Sequence, residues 1–294
     1  MSNRIRTTLV MALAMALVIV VPSGLTAQEA PAKPSRIVSL LGDREPGEVR
    51  LRLTPEEIES VGLSEIGGFA DLAEVGLRVL ELDSRVEGDF KSAFGRMAFR
   101  GAVQPDGRVL VENELPEGRG TLSLMVDLAS QTADASYPEG ASFTPGDRFA
   151  FRALALILER ELSGSGSPES DLLLRVARLW GDHPLQPVRL RRIAAPREKS
   201  WTNLCGITSR GLSHDATNHG LITETLATGP RADNCRSRCG AGCNAILGTS
   251  AWTVDCGEHD RCEQTHSCCV SCQDEFNSAS DDYLFASNCH LSGW

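Results

Sequence analysis

The chain has 294 residues, and 39 acidic against 29 basic side chains give it a formal net charge of -10 at pH 7. Such a charge repels polyanions, so the composition excludes nucleic-acid binding except at a local basic patch. All ten cysteines lie between Cys205 and Cys289, so a cysteine-free first part precedes a cysteine-dense last part.

The first 27 residues have the pattern of an export signal. Arg4 and Arg6 give a positive start, an apolar run covers residues 9–21, and a small-residue cleavage motif ends at Ala27. The run is too short to span a bilayer comfortably. The alternative, an uncleaved membrane anchor or interfacial helix, lacks a stop-transfer flank. We therefore expect a secreted protein, either extracellular or periplasmic.

Composition divides the mature chain into two predicted units. Residues 28–200 contain no cysteine, whereas the chain from Trp201 onward is rich in Cys, Asn, Ser and Gly. Each unit is long enough to have its own core. We predict an N-terminal α+β region of unknown role over 28–200 and a disulfide-rich domain over 201–294.

The first unit is predicted to contain strands and two helices. Apolar and polar residues suited to strands occur in three stretches, which are 49–53, 109–111 and 122–126. One helix, capped by Thr144, runs over about 145–162, and a second, capped by Ser167, runs over about 168–180. Neither helix carries a plausible catalytic pair.

A cluster of basic residues precedes the predicted boundary: Arg189, Arg191, Arg192, Arg197 and Lys199. These side chains could bind phosphates or mark a processing site. Because the protein as a whole is acidic, we favour an exposed basic strand or linker.

The cysteines of an exported protein are expected to form disulfides, because the compartment is oxidising. Zinc ligation by the cysteines of 235–243 or 268–272 is the competing explanation. Only the second segment contains a Cys-x-x-Cys pair, and no matching pair completes it. Disulfides are the interpretation that we favour.

The stretch from Cys235 to Cys262 joins a glycine-rich cysteine loop to a predicted helix. On that helix Cys256, His259 and Cys262 recur every three residues, so they share roughly one stripe. Asp260 lies about 100° further round the helix, and its carboxylate therefore points to a different flank from the imidazole.

The backbone carbonyl oxygens of the loop could bind a cation. Gly240 and Gly242 tolerate positive φ, which lets the loop turn its carbonyls inward. With the Asp260 carboxylate, these carbonyls would form a cage for a hard cation such as Ca²⁺.

At these residues the chain resembles the secreted phospholipases A2, which carry a Cys-Gly-x-Gly calcium loop and then a Cys-x-x-His-Asp-x-Cys helix. Cys239 to Cys262 keeps both motifs in that order. The resemblance covers roughly the last third of the chain and implies a mainly α, disulfide-rich domain. It implies that His259 is the general base and that Cys239 pairs with Cys256. The calcium ligands that it implies are Arg238, Gly240, Gly242 and Asp260.

The chemistry also follows from the residue types. A neutral imidazole with a pKa near neutrality can take a proton from water, and Ca²⁺ can polarise an ester carbonyl. The backbone N–H of Gly240 could donate to the same oxygen. The chain contains no Gly-x-Ser-x-Gly nucleophile elbow, which argues against an α/β-hydrolase.

Residues 272–285 are predicted to form an antiparallel partner helix. By the resemblance, Cys262 pairs with Cys272, and a carboxylate on the partner helix orients His259. Strict alignment places Gln273, which has no carboxylate, in that position.

Three aspartates of the partner helix are candidates for the orienting carboxylate. Asp274 and Asp281 lie two helical turns apart and can both face the histidine helix, whereas Asp282 is turned about 100° further round. We select Asp274, which is nearer the predicted disulfide, and keep Asp281 in reserve. The alternative leaves all three as solvated surface acids.

The sequence thus predicts an exported, calcium-dependent ester hydrolase that acts on phospholipid or at a membrane surface. His259 activates water, and Asp260 and the loop carbonyls hold Ca²⁺. The alternative is a non-catalytic, disulfide-rich binding or toxin-like module on the same scaffold.

Overall fold

A computed structural model gives the fold, and it describes residues 49–60, 74–82, 84–162, 167–195, 204, 210–216, 220–226, 237–240, 250–266 and 272–289. All of these belong to one compact unit, Pro34–Trp294. The predicted export segment and the boundary predicted at residue 200 lie outside the described residues. Within the described ranges, none of the helices has the length and apolar character needed to cross a membrane.

The first part of the chain forms an eight-stranded antiparallel sheet in which each strand pairs with the next one along the chain. The strands are β1 Val49–Arg52, β2 Glu74–Leu82, β3 Arg85–Ser92, β4 Gly95–Val103, β5 Val109–Glu114, β6 Thr121–Asp127, β7 Thr132–Ser136 and β8 Arg192–Ala194. In β6, Leu122, Leu124 and Val126 are buried, as the alternation of side chains across a sheet requires. The three predicted strands correspond to β1, β5 and β6.

Helices cover the buried face of this sheet. The short helix α1 spans Pro55–Ser60. Two long helices, α2 Pro145–Leu162 and α3 Pro168–Gly181, follow β7 and precede β8 along the chain. Both predicted caps are confirmed. The Thr144 hydroxyl accepts from the Asp147 backbone N–H at 3.2 Å, and the Ser167 side chain accepts from the Ser170 backbone N–H. The first part is therefore α+β, as predicted.

The last part contains a hairpin and two helices. The hairpin strands are β9 Arg210–Ala216 and β10 Gly220–Leu226, and the helices are α4 Val254–His266 and α5 Gln273–Phe285. The predicted disulfides Cys239–Cys256 and Cys262–Cys272 are both present. The first joins the start of α4 to the loop, and the second joins α4 to α5.

One hydrophobic core extends through both parts of the chain. The apolar side chains of the sheet, α2 and α3 are continuous with Cys256, Phe276, Tyr283 and Leu284 of the last part. We expected a separate core in each part. The core is shared because α3 packs directly against α5.

Arg175 of α3 caps the end of α5. Its Nη1 donates to three carbonyl oxygens, those of Tyr283 at 3.4 Å, Leu284 at 3.4 Å and Ala286 at 2.9 Å. The last carbonyls of a helix have no partner within it, and a cation is stabilised at that end. The buried guanidinium thus ties the two parts together.

The described residues of the basic cluster agree with the favoured interpretation. Arg189, Arg191 and Arg192 are exposed, and Arg192 begins β8 at an edge of the sheet. Arg197 and Lys199 fall outside the part of the chain that the structure describes.

We expect Arg175→Met to lower the free energy of unfolding by about 1.5 to 3 kcal/mol, because it removes charged hydrogen bonds to buried carbonyls. Equilibrium chemical denaturation without reductant measures this change. The control is Arg100→Met on the sheet, whose side chain is 45% exposed, and it should change stability by less than about 0.5 kcal/mol. Equal effects of the two substitutions would contradict the capping role.

Candidate active site

The segment Ser237 to Gly240, here called the loop segment, is attached to the start of α4. The Cys239 backbone N–H donates to the Ala251 carbonyl at 3.0 Å, and the Thr253 N–H donates to the Ser237 carbonyl at 2.9 Å. The Cys239–Cys256 disulfide adds a covalent link. Backbone pairing and the disulfide therefore fix the loop segment beside the helix that carries His259.

The Asp260 carboxylate reaches back from α4 to the loop segment. Its Oδ2 accepts a hydrogen bond from the Ser237 backbone N–H at 2.8 Å. Ser237 has a φ of 75°, in the left-handed region that residues other than glycine rarely adopt. Two hydrogen bonds hold Ser237 in this conformation, one from its N–H to Asp260 and one to its carbonyl from the Thr253 N–H.

Three of the four predicted calcium-ligand residues therefore come from two segments in direct contact. Arg238 and Gly240 lie in the loop segment, and Asp260 is hydrogen-bonded to the residue before Arg238. Gly242 lies outside the described residues.

The donor set fits a hard cation. Burial and the negative charge of Asp182 raise the pKa of the Asp260 carboxyl well above its usual range, while the hydrogen bond from Ser237 opposes this shift. A nearby cation would favour the ionised carboxylate. Because one carboxylate and backbone carbonyl oxygens are ligands that Ca²⁺ accepts, Asp260, Arg238 and Gly240 suit calcium.

Gly240 has the positive φ that the sequence predicted. Its φ is 120°, and a Cβ at this position would lie 2.7 Å from both Cγ and Cδ of Arg178. Conformation and space both favour glycine here, so the loop segment can pack closely against α3.

His259 is enclosed by the helices. Its side chain is only 1% exposed, its ring centroid lies 5.6 Å from that of Phe276, and neither ring nitrogen has a hydrogen-bond partner in the described part of the chain. Burial lowers the pKa of His259, while the negative charges of Glu263 and Asp182 act to raise it. The imidazole is therefore neutral at pH 7, the form that a general base requires.

The prediction that Asp274 orients His259 is not supported by the geometry. Asp274 is exposed in the first turn of α5, whereas His259 is buried. The reserve candidate, Asp281, is buried but makes no hydrogen bond to the imidazole. The carboxylate that does approach the ring is Glu263, whose Oε1 lies 3.7 Å from Nε2 of His259.

Glu263 belongs to a buried network of ion pairs with the first part of the chain. Nη2 of Arg148 lies 2.6 Å from Oε1 of Glu263, and Nη2 of Arg152 lies 3.4 Å from Oε2. Arg152 also pairs with Oδ1 of Asp182 at 2.8 Å, and the Tyr283 hydroxyl donates to Oδ2 of Asp182 at 2.7 Å. Helix α2 and Asp182, which directly follows α3, thus supply charges beside His259.

This environment favours the ionised form of Glu263. Burial acts to raise its pKa, but the positive charges of Arg148 and Arg152, together with that of His259 once acid has protonated it, lower the pKa to about 2. Glu263 is therefore a permanent negative charge beside the imidazole at neutral pH.

Sequence reasoning missed four of these charged residues: Arg148, Arg152, Asp182 and Glu263. Glu263 had a local signal, since it follows His259 by four residues on one helix and such pairs are neighbours. The other three lie in the first part of the chain, and no local pattern connects them to the histidine.

The structure also bears on metal ligation by cysteine. One sulfur each of Cys262 and Cys272 and a Glu275 oxygen lie within 4.8 Å of one another. The two sulfurs are bonded to each other, so they cannot act as thiolate ligands. Cys239, from the other segment considered for zinc, is likewise in a disulfide.

We expect Glu263→Gln to lower the free energy of unfolding by about 2 kcal/mol at pH 7. The folded-state pKa of Glu263, about 2, is below the ordinary value of 4.5. Its stabilising contribution is therefore present above about pH 4.5 and is lost as the pH falls towards 2. Chemical denaturation across this range should show the difference between wild type and variant shrinking. A difference that is independent of pH would contradict the ion-pair assignment.

The chain was also compared with known proteins. No family model, no curated protein and no solved structure matches it. The assignment of a function therefore depends on the residues of this site and on their geometry.

Proposed function

We propose that this chain is a secreted, calcium-dependent ester hydrolase of the phospholipase A2 type that acts on phospholipid. The observation that carries the proposal is the contact between Asp260 and the loop segment beside a neutral His259. Asp260 accepts from the Ser237 backbone N–H at 2.8 Å. Asp260 and His259 are neighbours on α4, so this contact brings the proposed cation ligands of the loop segment close to the candidate base.

In this proposal His259 takes a proton from water. Its Nε2 faces Glu263, which leaves Nδ1 to accept the proton. The water oxygen attacks the ester carbonyl carbon, and the imidazolium returns the proton to the departing alkoxide as the ester C–O bond breaks. Glu263, which Arg148 and Arg152 keep ionised, stabilises the imidazolium that forms between these steps.

The cation site comprises the Asp260 carboxylate and the carbonyl oxygens of Arg238, Gly240 and Gly242. When bound, Ca²⁺ would polarise the ester carbonyl and stabilise negative charge on its oxygen. The Gly240 N–H would donate to the same oxygen. Asp260 also positions the loop segment through its bond to Ser237.

A second candidate function is a disulfide-rich binding module without turnover. One observation favours it: the His259 side chain is only 1% exposed, whereas a base must reach water and substrate. Hydrolysis of a fluorescent phospholipid by the intact chain, measured over a calcium titration and with chelator, separates the two functions. Turnover that needs calcium supports the hydrolase, and calcium binding without turnover supports the module.

We expect Asp260→Asn to weaken calcium binding at least about 100-fold and to abolish calcium-dependent hydrolysis, because an amide lacks the charge of the carboxylate. Calorimetric titration and the phospholipid assay measure the two effects. The exposed Asp274 gives the control, since Asp274→Asn should match wild type in both. Wild-type calcium affinity in Asp260→Asn would remove this residue from the cation site.

We expect His259→Ala to reduce kcat by about 10² to 10⁴-fold while calcium affinity stays within about threefold of wild type. The imidazole removes a proton, and it is separate from the proposed oxygen ligands. Steady-state kinetics at saturating calcium and calorimetry test this division of roles. Parallel loss of turnover and calcium binding would show that His259 supports the cation site instead.

A further inference from the structure

A buried cluster of three charges connects the loop segment to α2 and α3. We call it the Glu159 cluster, and it comprises Glu159 of α2, Arg178 of α3 and Arg238 of the loop segment. Nη2 of Arg238 forms an ion pair with Oε2 of Glu159, and Nη2 of Arg178 lies 2.9 Å from the same oxygen. The three side chains are at most 4% exposed.

We propose that Glu159 is a positioning residue: through Arg238 it fixes the backbone of the loop segment, and thereby sets the affinity of the cation site. The effect on affinity rests on the proposed function, whereas the effect on the backbone does not. The first part of the chain would then control a site whose ligands all belong to the last part.

Two contacts within the described residues hold the side chain of Arg238. Its Nε donates to the Ser250 hydroxyl at 2.9 Å, and its Nη2 reaches Glu159. The residues on either side of Arg238 both donate backbone hydrogen bonds. The Ser237 N–H donates to the Asp260 carboxylate, and the Cys239 N–H donates to the Ala251 carbonyl. A displacement of Arg238 would therefore disturb both contacts, including the one to the carboxylate of the cation site.

The Glu159 cluster also touches the loop segment at Gly240. The aliphatic part of Arg178 occupies the space where a Cβ of Gly240 would lie. The cluster thus bears on Arg238 through charge and on Gly240 through packing, and both residues are proposed to offer carbonyl oxygens to the cation.

Charge balance makes Glu159 the centre of this cluster. Two guanidinium groups share one carboxylate, so either arginine can be removed while one ion pair remains. Removal of Glu159 instead takes away the carboxylate that both guanidinium groups contact, a severe disruption in a low-dielectric site. The sharpest test therefore changes the arginines one at a time.

Arg238→Met removes the link between Glu159 and the loop segment, together with the bond to Ser250, and keeps the pair between Glu159 and Arg178. Arg178→Met is the matched control, because it keeps the link to the loop segment. Its methionine also preserves most of the aliphatic cover over Gly240. Both variants retain one of the two ion pairs of Glu159, so neither is expected to prevent folding.

The first measurement is amide hydrogen exchange of Ser237 and Cys239 in the full chain without calcium. We expect Arg238→Met to accelerate exchange about tenfold or more and Arg178→Met to change it less than about threefold. Calcium titration by calorimetry should show affinity falling about tenfold in Arg238→Met and staying near wild type in Arg178→Met.

Unchanged exchange in Arg238→Met would overturn the proposal, and so would equal acceleration in both variants, which indicates general loosening. The two proposals can fail separately. If exchange responds as expected but the wild-type chain binds no calcium, Glu159 does position the loop segment and the proposed calcium-dependent function is wrong.

Discussion

Buried ion pairs between α2 and the last part of the chain are the interaction on which the site depends. Glu159 pairs with Arg238 in the loop segment, and Arg148 pairs with Glu263 on the histidine helix. Breaking a buried pair leaves an uncompensated charge, which costs far more than loss of an exposed pair. The scaffold and the site therefore form one structural unit, although composition divides the chain near residue 200.

Local spacing was sufficient to predict the histidine helix, whereas its two disulfides were implied by the family resemblance of the motifs. Their three-residue spacing placed Cys256, His259 and Cys262 on one stripe, and all three are fully buried. The orienting aspartate was not predictable in this way. Helical spacing places Asp274 and Asp281 on one stripe, but only tertiary packing decides which stripe faces α4. The buried side chains of α5 include Phe276, Ala279 and Tyr283 and also Asp281, whereas Asp274 in the first turn is exposed.

Charges from distant parts of the sequence account for the rest of the site. Arg148 precedes Glu263 by 115 residues, so no window of sequence contains both. Two neighbouring groups consequently differ in charge at neutral pH. Burial keeps His259 neutral, and the arginines keep Glu263 ionised. A neutral imidazole beside a fixed negative charge is suited to proton transfer, because the charge stabilises the imidazolium.

We propose that a hard cation binds between Asp260 and the loop segment. Terbium luminescence tests it directly, since Tb³⁺ substitutes for Ca²⁺ and Trp252, bridged to Arg238, can sensitise its emission. We expect tryptophan-sensitised emission that saturates at about one ion per chain and is displaced by calcium. We expect no such emission in Asp260→Asn. Absence of sensitised emission from the wild-type chain, or equal emission from Asp260→Asn, would contradict the proposed cation site.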